Sequence, residues 1–152
     1  MPRRDEYTAT LLDRGYMPGL GEAPVIQAGA PPAAEYYYEP GMLVFQRSLT
    51  ASQALLDLSQ NNDLDADLIW DSIWGTQTGN YTIRLKLPSG RYLSSAQMRN
   101  ANLVGTAQFP VPMVPAIEVP RNSRIGIDLT DVTAAPNVIE IVFGGLRRYR
   151  VN

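Results

Sequence analysis

The sequence predicts an all-β fold, an antiparallel β-sandwich or jelly roll with an extended N-terminal arm. From about residue 42 onward, short segments of alternating apolar and polar residues follow one another, turn residues separate them, and no segment has a clear helical pattern. The first 40 residues contain six Pro and four Gly, which disfavour regular structure. We therefore assign residues 1–40 to an arm and residues 41–152 to the sandwich domain.

The first half of the sandwich contains three predicted strands. Residues 42–49 are rich in β-forming side chains. Residues 51–58 fit a helix or a strand by spacing, and their strand neighbours favour a strand. Residues 68–74 carry bulky side chains at both odd and even positions, which is typical of a central strand with two covered faces. Trp70 and Trp74, four residues apart, are expected on the same face of that strand.

The clearest alternation lies in residues 81–87, where every odd position is apolar. Pro88, Ser89 and Gly90 then predict a turn that leads into residues 91–93, as in a hairpin.

Prolines and glycines shape the last third of the chain. Four prolines between residues 110 and 120 predict an extended crossing or an edge strand, because proline cannot donate to a strand ladder. Residues 124–129 alternate like a half-buried strand. A final strand over residues 138–151 is interrupted by Gly144 and Gly145, which indicate a bulge or bend.

The composition excludes most reaction chemistry. The 152 residues include no His and no Cys, so imidazole or thiolate metal sites, cysteine nucleophiles and histidine bases are absent. Carboxylates remain, but no spacing forces two of them together. We expect no enzyme activity, no catalytic residues and no cofactor.

Five aspartates form an acidic cluster in a stretch without Lys or Arg: Asp57, Asp63, Asp65, Asp67 and Asp71. Oxygen ligands at this spacing suit Ca²⁺, but the loop lacks the Gly and Glu that an EF-hand requires. The simpler interpretation is the solvated face of a strand, and we predict no metal site.

The charge balance and hydropathy indicate which partners to expect. Thirteen Lys and Arg stand against 15 Asp and Glu, which gives a net charge of -2 and no positive field for nucleic acid or anionic membrane. No apolar run approaches the roughly 20 residues of a membrane span, and the first residues do not form a signal peptide. We expect neither a nucleic-acid nor a membrane partner.

Aromatic and basic residues mark the candidate subunit interface. A run of three tyrosines precedes the first predicted strand, and at least one of its rings must leave the core. Three arginines near the carboxyl end are expected to pair with acids of the arm or with a neighbour's aspartate cluster. The arm adds apolar residues that do not suit a pure spacer. The predicted interface residues are Tyr16, Val25, Ile26, Tyr36, Tyr37, Tyr38, Arg147, Arg148 and Arg150.

Five segments carry a family resemblance, namely residues 48–53, 64–70, 83–94, 109–115 and 137–149. Their pattern of strands and turns resembles that of small structural proteins of tailed bacteriophages, and the resemblance covers residues 42–152. It contains no catalytic motif.

The resemblance implies a jelly-roll domain on the virion, assembled in the host cytoplasm. It implies a capsid decoration (cement) protein or a neck, collar or tail-fibre-attachment protein. Its partners would be copies of itself, with a trimer favoured, and the major capsid protein or proteins near the neck and portal. A carbohydrate-binding sandwich, with exposed aromatic rings as the platform, is the alternative from a different class.

Overall fold

A computed structural model describes residues 35–151, which form two four-stranded antiparallel sheets. The prediction of an all-β sandwich is confirmed. The strands are β1 (Glu35–Leu49), β2 (Ala54–Asn61), β3 (Asp67–Gln77), β4 (Tyr81–Lys86), β5 (Met98–Arg99), β6 (Val111–Val119), β7 (Arg124–Asp131) and β8 (Asn137–Val151). A 3-10 helix at Asn100–Asn102 follows β5.

The strand order is that of a jelly roll. The first sheet has the order β1-β8-β3-β6 and the second has the order β2-β7-β4-β5. Strand β1 therefore pairs with β8, β2 with β7, β3 with β6 and β4 with β5. This is the arrangement of a long double-stranded ribbon that has been rolled into two sheets.

The core fills the space between the sheets. Alternate residues point inward along most strands, so the odd positions of β4, β7 and the first half of β8 are buried. The Trp70 and Phe143 rings meet edge to face with centroids 5.1 Å apart, a favoured geometry for an aromatic pair. The largest fully buried side chains are Trp70, Tyr81, Phe143, Leu43, Leu49, Leu68, Ile73, Ile83, Leu85, Ile125, Ile127 and Leu129.

A bulge in β3 reverses the facing of its second half. Against β8, Trp70 pairs with Gly145 and Ser72 with Gly144, so Asp71 is the additional residue in β3. The register against β6 also shifts here, but there the additional residues lie in β6. Trp70 is fully buried, whereas Trp74 is half-buried on the outer face. The expectation that both tryptophans share one face is therefore wrong, because a bulge between them shifts the alternation by one residue.

Gly144 and Gly145 lie in β8 opposite this bulge, which is in the partner strand. A Cβ atom on Gly145 would lie 1.9 Å from the carbonyl oxygen of Ile69, and one on Gly144 would lie 2.4 Å from the ring of Trp74. The glycine pair therefore allows the close approach of β3 and β8.

The proline-rich stretch forms β6, the edge strand next to β3. Pro112 and Pro115 lie within it, and the Val114–Pro115 peptide bond is cis. This agrees with the predicted edge, because a proline on an edge leaves no gap in the interior ladder.

Strand β1 begins at Glu35, so Tyr36–Tyr38 lie within the strand and not before it. All fifteen residues of β1 pair with β8, and the register does not shift from Glu35 to Leu49. Residues 1–34, most of the predicted arm, lie outside the described residues. Tyr16, Val25 and Ile26 are among them.

A buried polar network ties three loops together at one end of the sandwich. Asn137 is fully buried; its amide nitrogen donates to the Gly79 carbonyl oxygen at 2.7 Å, and its oxygen accepts from the Gly79 N–H at 3.0 Å. Asp131 accepts hydrogen bonds from the Ser52 N–H, the Thr133 hydroxyl and the Asn137 amide. Every one of these groups would cost free energy if it were buried without a partner.

Candidate interaction surface

The outer face of the first sheet carries an apolar patch across three adjacent strands, β1, β8 and β3. Cross-strand pairing places Pro40, Leu146 and Ile69 in one row and Val44, Val142 and Trp74 in another. Met42, Gly144 and Ser72 form the row between them. We refer to this surface as the apolar face, defined by Pro40, Met42, Val44, Ile69, Trp74, Val142 and Leu146.

Several side chains of the apolar face are open to solvent. Met42 is 52% exposed, Val44 46% and Leu146 40%. The Trp74 ring lies over Gly144, where the absence of a side chain leaves room for it. Val142 is buried between Val44 and Trp74 in its row. Adjacent exposed apolar side chains on a sheet face are typical of a protein-binding surface.

The outer face of the second sheet has the opposite character. Arg84 pairs with Asp128 and Thr82 with Thr130 across β4 and β7. The Arg84 guanidinium lies 3.6 Å from the centroid of the Tyr92 ring. Antiparallel sheets commonly expose one polar face to water. The contrast between the two sheets therefore singles out the apolar face.

The predicted tyrosines and arginines meet at one end of the β1–β8 ladder. Tyr36 pairs with Arg150, Tyr37 with Tyr149 and Tyr38 with Arg148. The Tyr37 and Tyr149 rings stack with centroids 4.9 Å apart. We refer to this group as the tyrosine–arginine end; it comprises Tyr36, Tyr37, Tyr38, Arg147, Arg148, Tyr149 and Arg150. It brings together all six predicted interface residues that the structure describes.

Arg147 forms ion pairs on the inner side of this end. Its guanidinium lies 2.9 Å from Glu39 and 3.7 Å from Asp65. Tyr149 donates a hydrogen bond to Asp65 at 2.7 Å, and this bond raises the pKa of the tyrosine. The Arg147–Glu39 ion pair agrees with the prediction that the arginines pair with acids of residues 1–40.

Arg148 points to the opposite face, as alternation along a strand requires. It pairs with Asp67 of β3 at 3.0 Å and with Glu118 of β6. Its guanidinium also lies 4.9 Å from the centroid of the Tyr36 ring. One arginine thus joins β8 to β3 and β6. In the described residues, the arginines therefore pair with Asp65 and Asp67 of their own chain, whereas pairing with a neighbour's aspartate cluster was also predicted.

The acidic cluster does not form a cation site in the described part of the chain. No group of three or more acidic side chains there is arranged to hold a metal ion. Asp65 and Asp67 face arginines, whereas the backbone N–H of Asp57 bonds to Asp128 in β7. In residues 35–151, no helix has the length and apolar character of a membrane span.

Two aspartates have a pKa below the ordinary value of 3.8. The Arg121 backbone N–H lowers the pKa of Asp67 most; burial acts against it, and Arg148 lowers the pKa further. For Asp131, burial raises the pKa, but the hydrogen bonds from Ser52, Thr133 and Asn137 outweigh it. Both carboxylates therefore stabilise the fold when they are ionised.

We predict that stability is nearly constant from pH 7 to pH 5 and falls below about pH 4. A carboxylate with a lowered folded pKa contributes above its unfolded pKa, and that contribution is lost as the pH falls through the folded pKa. Urea unfolding followed by tryptophan fluorescence at each pH measures this. Asp67→Asn should destabilise the protein at pH 7, and this effect should shrink as the pH falls below 3.8, because the folded pKa of Asp67 is lowered from that value. Asp71→Asn, at the exposed bulge, is the control; an Asp67→Asn effect that does not shrink below pH 3.8 would contradict the assignment.

The apolar face was not predicted from the sequence. A signal was available in Met42, Leu43, Val44 and Phe45, four consecutive apolar residues in a strand. Such a run indicates a strand that is covered on both faces. Leu43 and Phe45 are buried in the core, which leaves Met42 and Val44 on the outer face.

Comparison with known proteins returned no match. No protein-family model, curated protein or solved structure matched this chain.

Proposed function

We propose that the protein is a non-enzymatic structural component of a tailed-bacteriophage virion, a capsid decoration (cement) protein that binds and stabilises the head shell. The observation that carries the binding role is the apolar face of the first sheet. Its exposed side chains gain free energy when a partner removes them from water, at roughly 25 cal/mol per Å² of apolar area. The polar outer face of the second sheet offers no comparable gain.

The virion assignment is supported by the resemblance of residues 42–152 to small phage structural proteins and by the jelly-roll strand order. Viral capsid proteins and lectins both use this strand order, so the fold supports the virion role by analogy. A protein with neither His nor Cys also suits a role in adhesion better than one in catalysis.

In this proposal the partners are copies of the chain and the major capsid protein. The predicted arm would supply contacts beyond the sandwich: 34 residues reach at most about 110 Å when fully extended. The tyrosine–arginine end, where β1 begins, is where such contacts would join those of the sandwich.

A position at the neck, at the collar or on the tail fibres is the alternative within the same class. It uses the same apolar face but requires far fewer copies per particle.

The carbohydrate-binding alternative depends on the tyrosines and on Trp74, because Trp70 is fully buried and Trp74 is half-buried on the outer face. Tyr36 and Tyr38 are 44% and 52% exposed, and aromatic rings of this kind can stack on sugars.

Quantitative mass spectrometry of gradient-purified particles from the source culture tests the proposal. We expect peptides of this chain in amounts comparable to the shell subunit. A small fraction of that amount supports the neck, collar or fibre position, and absence from the particles contradicts a virion role. Particles made with Met42→Lys should carry less of the protein, whereas those made with the control Val132→Lys, also at an exposed apolar side chain, should not.

A further inference from the structure

We propose that β1 pairs edge to edge with β1 of a second copy, in antiparallel orientation, and joins two first sheets into one. This goes beyond the proposed function and does not depend on a virion role. The partner strand at the β1 edge belongs to a second copy of this chain. The reasons are the state of the four sheet edges, the continuity of the apolar face and the charge pattern along β1.

Three of the four sheet edges in the described residues are blocked. Strand β6 contains Pro112 and Pro115, and the two-residue β5 is too short to recruit a partner strand. Strand β2 has a register shift after Leu55 and a positive φ of 60° at Asp57. Prolines, short strands and bulges are the devices by which proteins protect edges.

The β1 edge has little comparable protection. Its fifteen residues form a regular ladder with β8, and residues 40–46 carry no charged side chain. Pro40 is its only proline, and an edge proline directs its nitrogen away from the ladder. On that basis the even residues from Met42 to Ser48 direct their N–H groups to the edge that no strand of residues 35–151 covers. A second strand could accept hydrogen bonds from these N–H groups.

The charges on β1 select a two-fold arrangement. Glu39 and Arg47 lie on the same side of the sheet, four residues to either side of Leu43. Antiparallel pairing about Leu43 places Glu39 of each copy opposite Arg47 of the other, whereas parallel pairing in register would place like charges together. Opposite charges on facing strands stabilise a pair, and like charges destabilise it.

The same register continues the apolar face across the junction. Met42 of each copy lies opposite Val44 of the other, so the exposed side chains at the edge of one apolar face cover those of its neighbour. A two-fold, self-complementary contact closes as a dimer and does not grow into a fibre. The association is therefore two-fold, in place of the trimer that the family resemblance implies.

Sedimentation equilibrium of the full chain, from micromolar to near-millimolar concentration, tests the pairing. We expect a reversible dimer. Val44→Lys should raise its dissociation constant at least tenfold, because each copy would place a lysine at the junction. Val138→Lys is the matched control: Val138 is 56% exposed on the outer face of β8, an interior strand of the same sheet. A monomer at all concentrations, or an oligomer that Val44→Lys does not weaken, overturns the proposal.

Distances between spin labels test the register without perturbing the edge charges. The chain contains no cysteine, so a cysteine placed at Gln46 or Ser48 carries the only label. Pairing about Leu43 separates the two labels by six residues of strand at position 46 and by ten at position 48, or about 20 Å and 34 Å at 3.4 Å per residue. Equal distances at the two positions, or a distance that shortens from 46 to 48, would overturn antiparallel β1 pairing even if Val44→Lys proved unstable.

Discussion

Gly145→Ala should lower the free energy of unfolding by about 3 kcal/mol, the upper range for an overpacked site, and the midpoint of thermal unfolding by roughly 10 °C. The new methyl group would lie 1.9 Å from the carbonyl oxygen of Ile69, 2.9 Å from its carbonyl carbon and 3.1 Å from the Cα atom of Trp70. These are backbone atoms of the neighbouring strand, so no side-chain rotation relieves the contact. The two central strands of the first sheet must separate at the bulge. Urea and thermal unfolding followed by tryptophan fluorescence measure the loss.

Gly41→Ala is the matched control, because Gly41 pairs directly with Gly145 across β1 and β8. Its methyl group would meet the Arg147 side chain at Cγ, 2.3 Å away, and at Cδ. A flexible side chain can move, so we expect a loss below about 1 kcal/mol, within the range of ordinary surface substitutions. Equal losses for the two variants would show that the bulge does not impose the close approach.

Local alternation predicted the strands well and the bulge poorly. Residues 81–87 and 124–129 alternate because one face of each strand is buried, and a period of two is visible in the sequence itself. The bulge at Asp71 has no such local signal, since it depends on how β3 meets β8. Gly144 and Gly145 did indicate a distortion, but it lies in the partner strand.

The tyrosine–arginine end was predicted in pieces. At least one ring of Tyr36–Tyr38 was expected to leave the core, and Arg147 and Arg148 were expected to pair with acids. That these groups lie side by side follows from the pairing of β1 with β8, which are separated by nearly the whole domain. The identity of Asp67 as a partner of Arg148 depends on the same topology, because β3 lies next to β8.

The jelly-roll order also explains why the two outer faces can differ so strongly. Each sheet alternates strands from the two halves of the chain, so an apolar face in the first sheet requires outward apolar residues in β1, β3 and β8 at once. Packing of the core does not require these outward apolar residues, because they lie on the face that points away from it. Exposed apolar side chains on β1 and β8, continued by half-buried ones on β3, are typical of a contact surface.

A substitution in the buried loop network should give a protein whose stability rises as the pH falls from 7 to 4.5, unlike that of the natural chain. Asn137→Asp replaces an amide with a carboxyl group of the same size, 3.2 Å from a carboxylate oxygen of Asp131. At pH 7 the variant would face two carboxylates toward each other and lose the bond to the Gly79 carbonyl oxygen. We expect a loss of about 3 kcal/mol or more, as for other broken buried polar networks. Urea unfolding at pH 7 and pH 4.5 measures it.

At pH 4.5 the Asn137→Asp variant should recover part of the lost free energy of unfolding, whereas the natural chain should be no more stable at pH 4.5 than at pH 7. Two neighbouring carboxylates share a proton readily, because the first one ionised raises the pKa of the second. Once it is protonated, the introduced carboxyl group can donate to Asp131 again, so the native arrangement of donors is partly restored. Asn137→Leu, which has no titratable group, is the control and should be equally destabilised at both pH values. An Asn137→Asp variant with the same pH-independent loss as Asn137→Leu would show that the loss comes from the bond to the Gly79 carbonyl oxygen and not from the contact with Asp131.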